Sequence, residues 1–214
     1  MRLPALRRPK IVYRASGRPP EVALTFDDGP SEWTGAVARG LETHGCRGTF
    51  FLLGSAVESA PGAVSELAAA GHELGNHLWS HSHPGEQSRG ELRAEIARTA
   101  AAIGRVTGVE PGLVRPPYCE APRAVARAVG RGRPTLVVLR SVDPADWRAV
   151  SAQEIVEGVL SAVGPGDIVC MHDGVAPRNR GTDTRSATAT AVAELVPELI
   201  RRGLRPVTVS ELLA

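Results

Sequence analysis

The sequence predicts an α/β protein built around one parallel β-sheet. Short apolar runs alternate with longer amphipathic segments about seven times along the chain, a pattern typical of consecutive strand–helix units. The chain has 214 residues and is 43% hydrophobic, which suffices for one sizeable core, and no change of composition marks a second domain. Periodicity leaves an open doubly wound sheet and a barrel as alternatives.

The predicted strands are short apolar runs bounded by turn-forming residues. They cover residues 21–26, 48–53, 72–76, 112–115, 135–142, 167–171 and 205–209. Residues 1–20 precede the first run and are interpreted as an N-terminal extension, which leaves residues 21–214 as a single domain.

The predicted helices are the amphipathic segments between these runs. They cover residues 33–44, 57–70, 89–107, 121–129, 151–163 and 186–202. The clearest helix begins at Ser88, because Ser88 and Glu91 have the spacing of a capping box and Leu92 and Ile96 then recur on one face. Residues 174–188 are rich in turn formers and polar side chains, so they are predicted to form a long loop.

The charge pattern argues against a nucleic-acid partner. The 25 basic residues are spread among 23 acidic ones, for a net charge of +2, and form no block that could follow a phosphate backbone. An N-terminal Arg pair has no apolar region after it, and no run approaches the roughly 18 apolar residues of a membrane span. The three cysteines, Cys46, Cys119 and Cys170, have no paired spacing, so we expect reduced thiols and a soluble cytoplasmic protein.

An aspartate pair, Asp27 and Asp28, ends the first predicted strand in the stretch TFDDGP. Ligands of parallel α/β proteins gather at the carboxyl ends of the strands. His77 and His81 follow the third strand, and their i,i+4 spacing lets both rings face one point if the segment turns helically. Two histidines and an aspartate are a set that zinc uses when one position stays open for water. Two partly exposed polar histidines are the alternative for the pair taken alone.

Three further polar residues, Arg115, Asp146 and His172, lie at the ends of later strands. Each has a structural interpretation when it is considered singly: an ion pair for Arg115, a turn or helix cap for Asp146 and a half-buried polar side chain for His172. Because polar segments recur at five strand ends, we interpret them together as one active site.

Five segments carry a resemblance to a known family. TFDDGP, HLWSH, RPPY, DPADW and CMHDG are similar, in order and approximate spacing, to the five motifs of the NodB-like polysaccharide deacetylases, carbohydrate esterase family 4. The match runs from about residue 21 to the C-terminus, and within the family the chain most resembles the chitooligosaccharide deacetylases. The resemblance implies a distorted (β/α) barrel and metal-dependent hydrolysis of an N-acetyl group on a sugar.

The resemblance also implies roles at the metal site. Asp28, His77 and His81 would hold one divalent ion, and Asp27 would be the general base that takes a proton from the attacking water. Zinc is the expected ion, with cobalt or a similar ion as the alternative.

Four more roles follow from the same resemblance. Arg115 would pair with Asp27 and keep it ionised, and the backbone N–H of Tyr118 would stabilise the oxyanion. His172 would be the general acid, and Asp146 would orient its ring and raise its pKa.

Candidate substrate contacts are less specific. Trp147 and Trp79 would offer a face to the sugar or the acetyl methyl, with core packing as the alternative for each. Cys170 stands where the family usually has leucine, in the pocket for that methyl, and is smaller. Leu78 and Cys119 replace the usual Ser or Thr and Gly, so packing is expected to hold the loop at Leu78.

The expected function is removal of an N-acetyl group from an N-acetylglucosamine-type residue of a soluble oligosaccharide or small glycoside. An O-acetyl ester, or another amide such as an imide, is the alternative bond for the same metal site. A non-catalytic carbohydrate-binding relative is the third hypothesis, but such a protein would normally have lost a ligand or the base.

Overall fold

The fold is built on one curled sheet of parallel strands. A computed structural model describes residues 9–15, 17, 20–130, 135–176 and 185–214. The strands among these residues are β1 Lys10–Val12, β2 Glu21–Asp27, β3 Thr49–Leu52, β4 Glu73–Asn76, β5 Leu113–Val114, β6 Leu136–Val138, β7 Ile168–His172 and β8 Arg205–Val207. Their order in the sheet is β1-β6-β5-β4-β3-β2-β7, and β8 pairs with the first half of β2.

The sheet curls into a distorted (β/α) barrel. Its two outer strands, β1 and β7, are connected by an isolated bridge between Arg14 and Asp167, and a second bridge joins Val142 to Val169. The sequence left the choice between an open sheet and a barrel undecided, and the barrel that the family resemblance implied is confirmed.

Helices surround the strands on the outside. They are α1 Thr34–Glu42, α2 Gly54–Ser59, α3 Pro61–Ala69, α4 Arg89–Thr107, α5 Pro122–Val129, α6 Ala152–Ala162, α7 Arg185–Arg201 and α8 Val209–Leu213. No helix in the described part of the chain combines the length and the apolar composition that crossing a membrane requires.

The structure differs from the sequence prediction at five places. Residues 57–70 form two helices, because Pro61 cannot donate the next helical hydrogen bond and begins α3 instead. Strand β1 lies within the predicted N-terminal extension and pairs with β6, and α8 begins at a capping box of Thr208 and Glu211. The strand predicted at 135–142 ends at Val138. Within the loop predicted at 174–188, residues 177–184 lie outside the described residues, and α7 begins at Arg185.

The alternation of β2 aims its last residue into the barrel. Val22, Leu24 and Phe26 belong to the cluster that also contains side chains of the outer helices. Ala23, on the opposite face, packs with side chains of the other strands. Successive residues of a strand point to opposite faces, so Asp27 extends the row of Ala23 and lies at its carboxyl end.

Removing the cap of α4 is expected to destabilise the protein by about 1 kcal/mol. The Ser88 hydroxyl accepts a hydrogen bond from the Glu91 backbone, and the Glu91 carboxylate accepts one from the Ser88 backbone at 2.7 Å. Urea unfolding of Ser88→Ala measures the loss. Ser65→Ala, at an exposed position inside α3, is the matched control and should be neutral or slightly stabilising. Equal stability of the two variants would contradict the capping role.

Candidate active site

A cavity of about 300 Å³ lies at the carboxyl ends of the strands. Asp27 ends β2, His77 follows β4 and His172 ends β7. The predicted site residues that line this cavity are Asp27, Asp28, His77, His81, Tyr118, Trp147, Cys170 and His172. The sheet therefore brings segments that are up to 145 residues apart in sequence, from Asp27 to His172, to one place.

Three predicted metal ligands converge on one point. The Nε2 atoms of His77 and His81 lie 3.4 and 3.2 Å from Asp28 Oδ1, and all three side chains are buried. Asp28 Oδ1 is itself buried and accepts no hydrogen bond from the residues that the structure describes. A buried carboxylate oxygen without such a bond is costly, and a divalent cation between these three atoms would satisfy it. The donor set thus fits a metal ion.

The protonation of these residues suits a cation. His77 Nδ1 donates to the backbone oxygen of Arg115 at 2.9 Å, so Nε2 is the ring nitrogen that faces Asp28. Burial lowers the pKa of His81 to about 4, so this ring is neutral. Burial alone would raise the pKa of Asp28, but the neighbouring His77 and His81 outweigh it and lower the pKa to about 2.

The loop that carries the two histidines is held by the packing of Leu78 and by hydrogen bonds to the Glu95 carboxylate. Leu78 is fully buried and packs in a cluster with Leu92, as its replacement of a polar residue suggested. The Glu95 carboxylate accepts hydrogen bonds from the backbone N–H groups of Trp79 and Ser80 at 2.8 and 2.9 Å. Leu78 and His81 have φ of 64° and 57°, a conformation that costs free energy and persists only when the surroundings enforce it.

Asp27 lies against a buried guanidinium. Arg115 Nη1 donates to Asp27 Oδ1 at 2.8 Å and to Thr25 Oγ1 at 2.7 Å, and Nη2 donates to the Leu139 carbonyl at 3.0 Å. Arg115 is 0% and Asp27 4% exposed. Burial raises the pKa of Asp27, but Arg115 and the neighbouring His77 and His172 together outweigh burial and hold the pKa below its usual value. Asp27 is therefore an ionised carboxylate at neutral pH.

His172 forms a second charged pair across the cavity. Its Nδ1 donates to Asp146 Oδ1 at 2.7 Å, and Asp146 Oδ2 accepts from the His172 backbone and from Thr188 Oγ1, both at 2.8 Å. Burial lowers the pKa of His172, but the charge and hydrogen bond of Asp146, together with the charges of Asp28 and Asp27, outweigh it and raise the pKa to about 9. The ring is therefore protonated at neutral pH, and Nε2 is the nitrogen left for the cavity.

Aromatic side chains form part of the rim. The Tyr118 ring stacks on His83 at 4.1 Å and meets His81 edge-on at 4.6 Å, between ring centroids. Trp147 is 47% exposed. Trp79, in contrast, does not line the cavity: its ring packs against the hydrophobic core and lies 3.5 Å from the Arg98 guanidinium carbon.

The family follows from comparison with known proteins. The family model described as polysaccharide deacetylase matches residues 14–131, more than half of the chain. The chain belongs to the polysaccharide deacetylase family. The relatives include deacetylases of peptidoglycan and of chitooligosaccharides.

Two relatives and one solved structure show how far the similarity to other polysaccharide deacetylases extends. A peptidoglycan-N-acetylglucosamine deacetylase of Bacillus cereus is 35% identical over 202 residues, covering 93% of this chain and 71% of the relative. A chitooligosaccharide deacetylase of Sinorhizobium fredii is 32% identical, covering 91% of this chain and 92% of the relative. A solved peptidoglycan N-acetylglucosamine deacetylase, in complex with 4-naphthalen-1-yl-N-oxidanyl-benzamide, has a TM-score of 0.86 at 32% identity. The match covers 95% of this chain and 92% of the solved chain. Some other relatives are longer, and the chain spans 38% of their length.

Several residues that line the cavity were not predicted. Arg140 and Asp143 form an ion pair of 2.7 Å at the rim, and Ala176 and Arg185 line another part of the cavity. The one available signal for Arg140 was its place near the end of a predicted strand, like that of Arg115. Asp173 is fully buried behind the site and accepts a hydrogen bond from Thr34 Oγ1.

Proposed function

We propose that this chain is a metal-dependent N-deacetylase. It removes the acetyl group from an N-acetylglucosamine-type residue of a soluble oligosaccharide or small glycoside and releases acetate. The observation that carries the proposal is that His77 and His81 converge on the buried Oδ1 of Asp28, which has no hydrogen-bond partner among the described residues. An ionised Asp27 and a protonated His172 lie in the same cavity. A metal-dependent amide hydrolase uses these three elements: a cation that polarises the carbonyl, a base that activates the water and an acid that protonates the leaving amine.

Asp28, His77 and His81 would hold the ion, with zinc as the first expectation for two nitrogen ligands and one oxygen ligand. When bound, the divalent ion supplies positive charge that polarises the acetamide carbonyl. The ligand of the solved relative carries an N-hydroxyamide, a group whose two oxygens chelate divalent cations. Compounds of that class are expected to compete with substrate in this cavity.

Asp27 acts as the general base. Arg115 holds Oδ1 at 2.8 Å, which fixes the carboxylate and leaves Oδ2 to accept a proton from the attacking water. Because Arg115 keeps the carboxylate ionised, the base is ready at neutral pH. The peptide N–H of Tyr118 is proposed to donate to the developing oxyanion.

His172 acts as the general acid. The amine leaves only after its nitrogen gains a proton, and the Nε2 of the protonated His172 is the donor. Asp146 fixes the ring through Nδ1 and stabilises its positive charge. Trp147 at the rim and Cys170 on the floor of the cavity are the proposed contacts for the sugar and the acetyl methyl.

Acetate release from N-acetylchitooligosaccharides of defined length tests the proposal. We expect acetate and free amino groups to appear in equal amounts, and the length series to identify the preferred acceptor. Acetylated xylan, whose acetyl groups are esters, is run in parallel. Acetate from xylan with none from the chitooligosaccharides would contradict N-deacetylation and favour the ester hydrolase.

Loss of one imidazole is expected to lower zinc affinity by more than the 10–100-fold typical of an outer-shell partner. His77→Ala removes a nitrogen within 3.4 Å of Asp28 Oδ1, so the affinity measured by competition with a chromogenic chelator should fall. His44→Ala, at an exposed histidine after α1, is the matched control and should bind zinc as the wild type does. Equal affinity of both variants would contradict the ligand assignment.

A further inference from the structure

A second set of metal-binding atoms lies in the same cavity. A carboxylate oxygen of Asp27, the sulfur of Cys170 and a ring nitrogen of His172 all lie within 4.8 Å of one another. The Cys170 sulfur is 3.4 Å from Asp27 Oδ2. None of these three residues belongs to the Asp28, His77 and His81 set, so the cavity offers two separate ligand sets.

The sheet register fixes this second set. β2 and β7 are adjacent parallel strands in which Asp27 pairs with His172 and Thr25 pairs with Cys170. Residues two apart in a strand share a face, so Cys170 and His172 present their side chains on the same side as Asp27. The three ligands therefore lie on neighbouring strands, which position them more rigidly than loops would.

The chemistry of the set suits a thiophilic cation. Zinc and related ions bind thiolate, imidazole and carboxylate together. His172 Nδ1 donates to Asp146 at 2.7 Å, which leaves Nε2 as the ligand and places a carboxylate behind it, as in many metal-bound histidines. Metal binding requires that the Cys170 thiol and the Nε2 of the protonated His172 each lose a proton to solvent, so each ion bound there releases two protons.

The positive charge of Arg115 weakens cation binding at the second set. Arg115 Nη1 lies 2.8 Å from Asp27 Oδ1 and 3.6 Å from the Cys170 sulfur. Its positive charge repels a cation that is bound by Asp27 and Cys170. For zinc we therefore expect the second set to fill only after the Asp28 set.

We propose that Asp27, Cys170 and His172 form a second, inhibitory site for a thiophilic divalent cation such as cadmium or excess zinc. An ion there occupies the proposed base and the proposed acid at once, so hydrolysis stops while the first metal stays in place. The inhibitory consequence rests on the proposed deacetylase function, whereas binding of the ion does not.

Cadmium titration of the purified protein tests the site without an activity assay. A cadmium–thiolate bond gives an ultraviolet charge-transfer absorption, and because the Asp28 set contains no sulfur, this band does not report cadmium bound there. We expect the band in the wild type and in Cys119→Ser, a matched control that removes another thiol lining the cavity. Cys170→Ser should lose the band and bind one cadmium ion fewer per chain in equilibrium dialysis. No band in the wild type, or a band that survives in Cys170→Ser, would overturn the site.

Zinc dependence of acetate release tests the inhibition. With zinc at ten times the dissociation constant of the second site, release by the wild type should be roughly tenfold below its maximum. At the same zinc concentration, Cys170→Ser should lose a much smaller fraction of its own maximal rate of acetate release. Equal loss in both proteins would overturn the inhibitory role. If no sugar releases acetate at any zinc concentration, the proposed function fails, and the cadmium band still decides whether the second site exists.

Discussion

Asp27→Asn is expected to reduce acetate release by about 10²–10⁴-fold, the usual contribution of a general base. The amide has nearly the shape of the carboxylate and still accepts a hydrogen bond from Arg115 through its oxygen, but it cannot take a proton from water. The change should fall on kcat, because the base acts in the transition state more than in substrate binding. Zinc affinity should be retained, since Asp28, His77 and His81 are unchanged.

The matched control for this variant is Glu32→Gln, an exposed carboxylate in the connection that follows Asp27 between β2 and α1. Its rate should equal that of the wild type. If Asp27→Asn kept a rate within a fewfold of the wild type while its fold and zinc content were normal, another group would have to be the base. A variant that lost zinc as well would instead point to Asp27 as a ligand.

Arg115→Met is expected to lower the free energy of unfolding by about 3–5 kcal/mol, the cost of breaking a buried ion pair by removing one partner. Asp27 would stay buried without its 2.8 Å partner, and the Leu139 carbonyl and Thr25 hydroxyl would lose their donor. Because a buried charge without a partner dominates this cost, the double variant Asp27→Asn with Arg115→Met should recover part of the stability. Denaturant unfolding of the variants, compared with the wild type, measures both effects.

Arg14→Met is the matched control for an Arg–Asp pair. Arg14 is 3.4 Å from Asp167, but its side chain is 56% exposed, so water screens the pair and the change should cost little. A double variant no more stable than Arg115→Met would show that lost packing or the carbonyl contact, and not the charge of Asp27, causes the destabilisation.

Most of the site residues could be predicted from the sequence because strand ends and strand alternation are local features. Asp27 and Asp28 follow an apolar run whose alternation decides which side chains face the barrel. Parallel strands then bring His77 and His172 to the same edge of the sheet. The barrel itself followed from the motif resemblance, since periodicity is the same for an open sheet and for a closed one.

The details that the sequence missed depend on contacts between distant segments. The spacing of His77 and His81 would bring both rings to one point if the segment turned helically, but residues 77–81 form no helix and reach that point through the positive φ of Leu78 and His81. Glu95, whose carboxylate accepts a hydrogen bond from the loop backbone, lies on α4 and belongs to none of the five motifs. The direction of Trp79 depends on packing against the core and Arg98, which no local pattern encodes.

Zinc-dependent acetate release by metal-free protein is the most direct test of the central claim, that Asp28, His77 and His81 hold the ion of an N-deacetylase. The protein is stripped with a chelator, dialysed and assayed on an N-acetylchitooligosaccharide while zinc is added up to one ion per chain. We predict no release at the start and a rise that is complete at one equivalent in the wild type, with no rise in Asp28→Asn. Full release by the metal-free protein, or equal restoration in Asp28→Asn, would contradict the account.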